Sequence, residues 1–352
     1  MVFRMSACLI AGCLTLGAVA LSHGALAADF TLRFATISAE DSGAYQELYK
    51  PFAEAVEKDS GGRVEVAIKP LGGYGKPAEL FNMVERGDIE LAFTVQGYNP
   101  GRFPQTSVME LPLISDNSVD GTRVIETMLK EGRFDKDYAS VKPLALTVLA
   151  PYGIFTTGRK LDQIKDLRGL RVRTPSPTVG LALARLGMIP LGVPANMIGD
   201  TLANNTVDAI TFGWDSVAHT PGAGGKVLVD QLKVLIDANF AAPAMMIVMN
   251  KAAFAALPAD LQTMIEKRAV AMLAQGAEWR EKNDAIARDT LKNDPRFTYI
   301  ALTPAQKADI ERLVQPAVAD WKLGMTRSGL DGAALYDRAR ELMRSGNSVA
   351  VR

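Results

Sequence analysis

The stretch LRGLRVRTPSP, residues 167–177, places Arg168, Arg171 and Arg173 in one short run. A guanidinium carries a permanent charge and a planar fork of N–H donors, so the chemistry it offers is recognition of a carboxylate or phosphate. In a strand, Leu170 and Val172 would share one face, and Arg171 and Arg173 the other. Arg173 then stands near the strand's carboxyl end, the place where open α/β sheets bind ligands. On the residues alone two readings stay open for Arg173. It is a ligand contact at that strand end, or a solvated surface charge, the default for any arginine.

Other groupings spell chemistry without the spacing it needs. Asp215, Ser216 and His219 are the letters of a hydrolytic triad, but no G-x-S-x-G elbow presents the serine. Gly72-Gly73-Tyr74-Gly75-Lys76 resembles a phosphate loop without the full G-x-x-x-x-G-K-S/T pattern. We read it as a strand-to-helix turn whose backbone N–H groups could face an anion. Asn204-Asn205-Thr206 is a sequon by spelling only. No set for covalent or acid–base chemistry is present, and no catalytic residue, metal site or cofactor is expected.

The first residues read as a leader. Arg4 starts it, an apolar run follows from Ala7 to about Leu21, and Ala-Leu-Ala precedes Ala28. We read residues 1–27 as a cleaved secretory signal, hence export to the periplasm. The apolar run is short for a spanning helix, which needs about 20 residues. Ile10-Ala11-Gly12-Cys13 resembles a lipobox, but that route would strand apolar Leu14–Leu21 in the mature protein and ranks below simple cleavage. Cys8, Cys13 and His23 all leave with the signal, so the mature chain has no thiol, and His219 is its sole histidine. That excludes His/Cys zinc sites and Cys–His nucleophiles.

Charge and length narrow the partners. Lys+Arg and Asp+Glu both number 39, which gives no electrostatic case for nucleic acid or an anionic membrane. The 352 residues leave room for two domains. Strand and helix patterns alternate from the start: Thr31–Thr36 strand, Ala44–Lys58 helix kinked or restarted at Pro51, Arg63–Lys69 strand, Pro77–Glu85 helix, Ile89–Val95 strand. This order predicts a mostly parallel sheet covered by helices. After a β run at Val141–Leu149 the pattern restarts with strands at Leu170–Thr174, Ile189–Val193 and Asp208–Phe212, and helices at Thr178–Leu186 and Ala195–Asn204. Lys233–Leu235 and Met245–Asn250 read as strands that cross back. Pro258–Lys292 reads as a helix of roughly 50 Å, long enough to touch both domains, with Gly276 a possible bend. Helices at Pro304–Trp321, N-capped by Thr303, and Ala333–Arg344 close the chain.

Several pieces, in order, resemble the solute-binding subunits of tripartite ATP-independent periplasmic (TRAP) transporters. They are SGGRVEVAIKPLGGYG (60–75), ERGDIELAF (85–93), GYNPGRFPQTSVMELPLI (97–114), IKDLRGLRVRTPSP (164–177), NNTVDAITFGWDS (204–216) and NKAAFAALPADLQ (250–262). The resemblance implies a two-domain α/β periplasmic binding protein with a long helix spanning both domains. It further implies an organic acid in the cleft and an arginine–carboxylate pair at the residue closing DLRGLRVR, which is Arg173. Arg168 and Arg171 match no such role and are left on the surface. Two departures matter. Sialic acid binders carry another ligand arginine near the position of Gly153–Ile154, where this chain has PYGIFTT. Many members have an asparagine where this chain has Phe212 or Gly213, with Trp214 beside it. Both changes exchange polar for apolar groups and argue against sialic acid or polyhydroxylated ligands.

The expected domains are 28–150 plus about 239–275, and 151–238 plus about 276–352 with the C-terminal helices. The expected ligand is a small monocarboxylate with an aromatic or hydrophobic body. Its contacts would be Arg173, Phe212 and Trp214, with Phe155 and Phe240 as either pocket or core, and Thr36, Tyr74 and Tyr98 from the first domain. The runner-up ligand is a short aliphatic keto or hydroxy acid. Expected partners are the small organic acid and the TRAP membrane permease subunits; the protein itself is expected to be a monomer. Rival classes are a secreted hydrolase, a ligand sensor for a membrane kinase, and a binding protein for an ATP-driven importer.

Overall fold

The computed structural model describes residues 28–158 and 164–347. The signal-peptide reading at residues 1–27, with Cys8, Cys13 and His23, lies outside the described residues. Among the described residues, eleven strands form two sheets. The strands are β1 (Phe30–Ala35), β2 (Val64–Lys69), β3 (Leu91–Val95), β4 (Lys142–Val148), β5 (Gly153–Thr156), β6 (Arg171–Thr174), β7 (Ile189–Gly192), β8 (Ala209–Phe212), β9 (Val234–Asp237), β10 (Ala244–Met249) and β11 (Thr298–Ala301). The first sheet runs β2-β1-β3-β10-β4 and the second β11-β9-β5-β8-β6-β7.

Around them lie α1 (Lys50–Asp59), α2 (Leu80–Arg86), α3 (Ser118–Lys130), α4 (Pro177–Arg185), α5 (Ile198–Ala203) and α6 (Trp214–His219). The series ends with α7 (Lys251–Ala256), α8 (Ala259–Lys292), α9 (Pro304–Arg327) and α10 (Gly332–Asn347). Within each sheet the βαβ strands pair in parallel: β1 with β2 and β3, and β6 with β7 and β8. The antiparallel members are β10, between β3 and β4, and β5, between β8 and β9. These are the strands on which the chain enters the second unit and returns to the first. The carboxyl ends of β6 and β8 and the start of β5 meet at one edge, since Gly153 pairs with Phe212.

Local chemistry explains several boundaries. Pro51 falls inside a continuous helical run: a π-helical turn, Tyr45–Tyr49, leads directly into α1, and the wider turn sits where Pro51 lacks a backbone N–H. Thr303 caps α9 and forms a reciprocal pair with Gln306. Two four-residue strands, β5 and β11, escaped the sequence reading.

Two long helices join the units. Leu261, Ile265, Ala269, Met272 and Leu273 of α8 lie in the first unit's core, and its Ala287 and Leu291 in the second's. Gly276 falls between them, where a Cβ would meet the Arg280 guanidinium at 2.9 Å and Leu48 at 3.3 Å; the glycine clears space for them. Helix α9 makes the reverse passage. Ile310 and Val314 pack in the second unit, and Val318, Trp321 and Met325 in the first, with Pro316 removing one backbone donor at the point of transfer. The packing thus divides the tail differently from the sequence reading, which grouped about 276–352 with the second unit. Leu335, Ala339 and Met343 of α10 also join the first unit's core.

At the seam lies a buried carboxyl, Glu110. It accepts the Ala244 N–H at 3.0 Å, and the Ser176 hydroxyl of the second unit bears on it, yet burial pushes its pKa up to about 7. A carboxyl with a raised folded pKa favours folding when protonated. Its contribution is full below about 4.5 and is lost as pH rises through about 7. Urea unfolding of the wild type and Glu110→Gln at pH 5 and pH 8 checks this. The stability difference is expected to move by up to about 3 kcal/mol in favour of the variant at the higher pH; a difference independent of pH would refute it.

Candidate functional site

The segment β6 is four residues long and pinned on both sides by β7 and β8. Val172 turns into the second unit's core. Arg171 and Arg173 share the other face and meet different fates. Arg171 pairs with Asp208 at the base of β8, with Nη2–Oδ1 at 2.6 Å and Nε–Oδ2 at 2.9 Å, half in solvent. Arg173 is 1% exposed. Its Nε donates to the Val193 carbonyl at 2.8 Å and its Nη1 to the Thr211 carbonyl at 2.9 Å. The guanidinium carbon sits 5.3 Å from the centre of the Phe212 ring. Burial draws its pKa down, while the Tyr98 and Tyr152 hydroxyls favour the charge.

Among the described residues no carboxylate lies within ion-pair distance of Arg173. Carbonyls and a ring face supply partial negative charge only, and a buried cation without its counter-ion is costly. The arrangement suits an anion that arrives from outside. Tyr98, in the turn after β3, reaches across the seam, and its hydroxyl accepts the Ala195 N–H at 2.9 Å. Phe212 closes β8 and stands edge-on to Tyr152 at 5.9 Å.

Of the residues singled out from the sequence, the structure gathers Arg173, Tyr98 and Phe212. Trp214 and Phe155 pack edge-on at 4.9 Å in the second unit's core, and the Trp214 indole N–H is buried without a partner. Phe240 belongs to another part of that unit's core. Thr36, at the end of β1, donates to the Lys69 carbonyl at 3.2 Å. Tyr74 donates to the Ala67 carbonyl at 2.9 Å and packs against the first unit's core. Among the described residues, no hydrogen bond or cation–ring contact joins these last five to the guanidinium. Tyr152 was missed, although it stands inside the quoted PYGIFTT; an aromatic in a crossing segment carries no pattern of its own. The triad letters do not assemble: His219 turns to Asp215, with Nδ1–Oδ1 at 3.0 Å, and no hydrogen bond links it to Ser216 among the described residues.

The two units meet closely here. A Cβ on Gly97 would lie 2.3 Å from the Ser176 Cβ and 2.4 Å from the Pro175 carbonyl, so only glycine permits this approach. Beside the contact lies a cavity of about 560 Å³ that includes Tyr98, Thr174, Ser176, Val193 and Pro194 in its walls. Arg173 is not in those walls and is sealed behind Tyr98 and Val193. A larger groove of about 860 Å³ lies elsewhere, against α3, β4 and α8. Among the described residues, no helix is long and apolar enough to cross a membrane and no His/Cys/Asp/Glu cluster could hold a metal.

Comparison with known proteins places this geometry. The profile of DctP, bacterial extracellular solute-binding protein family 7, matches residues 34–323. The chain is similar to a TRAP solute-binding protein from Rhodoferax ferrireducens T118, solved in complex with copurified benzoate. The two share 27% identity and a TM-score of 0.84, over 91% of this chain and 99% of that one. A marine metagenome TRAP solute-binding protein specific for aromatic acid ligands, with 3-hydroxybenzoate, shares the fold at 24% identity and a TM-score of 0.81, over 90% and 98%. The outer membrane transporter protein TsaT of Comamonas testosteroni is 22% identical over 321 residues, 90% of this chain and 93% of that one.

The Gly97–Ser176 contact yields a test of the seam. Gly97→Ala is expected to hold the units apart, giving a larger radius of gyration by small-angle scattering with an unchanged circular dichroism spectrum. Equal radii would show that the seam absorbs the methyl group.

Proposed function

Starting from a chain that belongs to family 7 of the bacterial extracellular solute-binding proteins, and is a DctP-like TRAP subunit rather than an enzyme, we propose that it captures a monocarboxylate with an aromatic or hydrophobic body. The carrying observation is Arg173: a buried guanidinium held by two carbonyls, faced by tyrosines and the Phe212 ring, with no carboxylate of its own. One guanidinium fork suits one carboxylate. Phe212 and Tyr152 offer apolar walls to a ring. The benzoate held by the Rhodoferax ferrireducens relative, at 27% identity, supports this ligand class. Trp214 and Phe155 then support those walls from behind, Phe240 stays in the other part of the core, and Thr36 and Tyr74 would meet the ligand only after rearrangement.

Arg173 is closed off by contacts between the units, so entry requires the units to part and capture requires them to close again. In the closed form water is excluded and the ion pair gains strength. The ligand holds the closed state by its greater affinity for it. The protein, exported to the periplasm after loss of residues 1–27 and acting as a monomer, then delivers the bound ligand to the TRAP membrane subunits.

Calorimetric titration with benzoate, mandelate, cinnamate, lactate and pyruvate tests the reading. Arg173→Ala is expected to cost on the order of 2–5 kcal/mol of binding, the loss typical of truncating one partner of a desolvated charged pair. Arg173→Lys should recover only part, because an ammonium lacks the planar fork. Arg171→Ala should leave affinity nearly unchanged. Equal losses at Arg171 and Arg173 would overturn the assignment. Binding of lactate or pyruvate with no response to any aromatic acid would overturn the aromatic body and keep the carboxylate.

A further inference from the structure

The cavity beside the Gly97–Ser176 contact is walled by both units. Ala78, Tyr98 and Pro100 come from the first, and Thr174, Leu181 and Val193 are among those from the second. Its outer walls include Pro100 and Ala184, both exposed, so it opens to solvent. Its inner end reaches the groups that hold Arg173. Thr174 follows that residue in β6 and is 3% exposed, and the Val193 carbonyl accepts the Arg173 Nε–H at 2.8 Å. The space therefore runs from the surface to the screen in front of the guanidinium.

The walls are unsuited to keeping an acid. Five of the lining residues are prolines, whose nitrogens carry no hydrogen, and no charged side chain is among them. The Thr174 hydroxyl is spent on the Ser176 carbonyl at 2.9 Å. Thr174 and Val193 are tied together at the inner end, where the Val193 N–H donates to the Thr174 carbonyl at 3.3 Å. Tyr98 is the movable group there, a ring on two rotatable bonds. Its hydroxyl crosses the seam to accept the Ala195 N–H at 2.9 Å, and it lies beside Arg173 closely enough to favour that residue's charge. The hydrogen bond to Ala195 joins the two units and is lost when they part on this side.

We propose that the ligand reaches Arg173 through this cavity and that Tyr98 is the gate at its inner end, fastened by the Ala195 N–H once the acid is inside. The inference rests on the reading of Arg173 as the carboxylate contact. It adds the side on which the seam admits the ligand and the contact that sets how long the ligand stays. A proline-walled approach suits an acid with an apolar body and offers its carboxylate no stop short of the guanidinium. Passage and latch leave different kinetic marks. A plug in a passage slows entry and exit by the same factor and leaves affinity unchanged, whereas a lost latch quickens exit.

The test uses the exported protein, residues 28–352, in which no cysteine remains, so one introduced thiol can be labelled selectively. Binding of benzoate and of pyruvate is followed by stopped flow. Ala184→Cys is measured before and after reaction with N-phenylmaleimide, with Ala271→Cys, in the groove against α3, β4 and α8, as the control. Labelling Ala184→Cys is expected to slow association and release alike, by about fivefold or more, with affinity held within about twofold. Labelling Ala271→Cys should change neither rate. Tyr98→Phe keeps the ring and loses the hydroxyl. Its release should quicken about fivefold, the effect of one lost hydrogen bond, with association little changed. A merely structural role for Tyr98 would not separate the two rates. Unchanged rates on labelling Ala184→Cys would overturn the port, and unchanged release in Tyr98→Phe the gate, each with Arg173→Ala still abolishing binding. Full affinity in Arg173→Ala, or no binding of either acid by the wild type, would overturn the Arg173 reading and the port with it.

Discussion

A positive charge held out of water without its partner is the constraint around which the rest is arranged. Arg173 could not be kept in that state by side chains alone. It needs carbonyls fixed by backbone geometry, and the short strands supply them: Thr211 from β8 and Val193 from the turn after β7. Both neighbours are parallel partners of β6, so the register that pairs Arg173 with Leu191 and Ile210 also places those carbonyls. Shifting one strand by a residue would turn Val172 to the seam and drive the guanidinium into the core.

The units that share this seam are connected four times. The chain passes through it as β4 to β5, returns as β9 to β10, and spans it twice more as α8 and α9. Two of these passages are main chain between adjacent strands, where a hinge needs only a few dihedral changes. The helical passages carry features suited to relative motion. Gly276 lets α8 lie close against Leu48 of the first core, and Pro316 interrupts the hydrogen-bond ladder of α9. Two buried acids have raised pKa values. Asp284 of α8 accepts the Asp215 N–H at 2.7 Å, and burial pushes its pKa up to about 6. Glu110 behaves in the same way.

How much of this was legible in the sequence follows from which patterns are local. Strand alternation put Leu170 and Val172 on one face and the two arginines on the other; the strand-end rule left Arg173 open between ligand contact and surface charge, and the resemblance to TRAP subunits separated it from Arg171. The helix repeat found α8 within one residue at its start. Aromatic residues were read less well, because a ring that ends a strand looks alike whether it faces a ligand or a core. Phe212 meets Arg173 and Trp214, two positions on, does not; that choice depends on where β8 stops and α6 begins. Tyr152 was not legible at all. It owes its place to long-range packing, beside a four-residue strand too short to show a period. The tail was misassigned for a similar reason: nothing in Ile310 or Trp321 tells which of two cores it enters.

The approach of Gly97 to Pro175 and Ser176 has a meaning beyond contact. The Gly97 backbone meets the Cβ and Cα of Ser176 and the Pro175 carbonyl, so in this structure the spacing of the units here is set by atoms that cannot swing aside. A guest longer than the space leaves that stop unreached; a shorter one reaches it with its far end untouched. On the reading proposed above, the seam is a gauge with a fixed jaw, set against the length of the ligand as well as its charge.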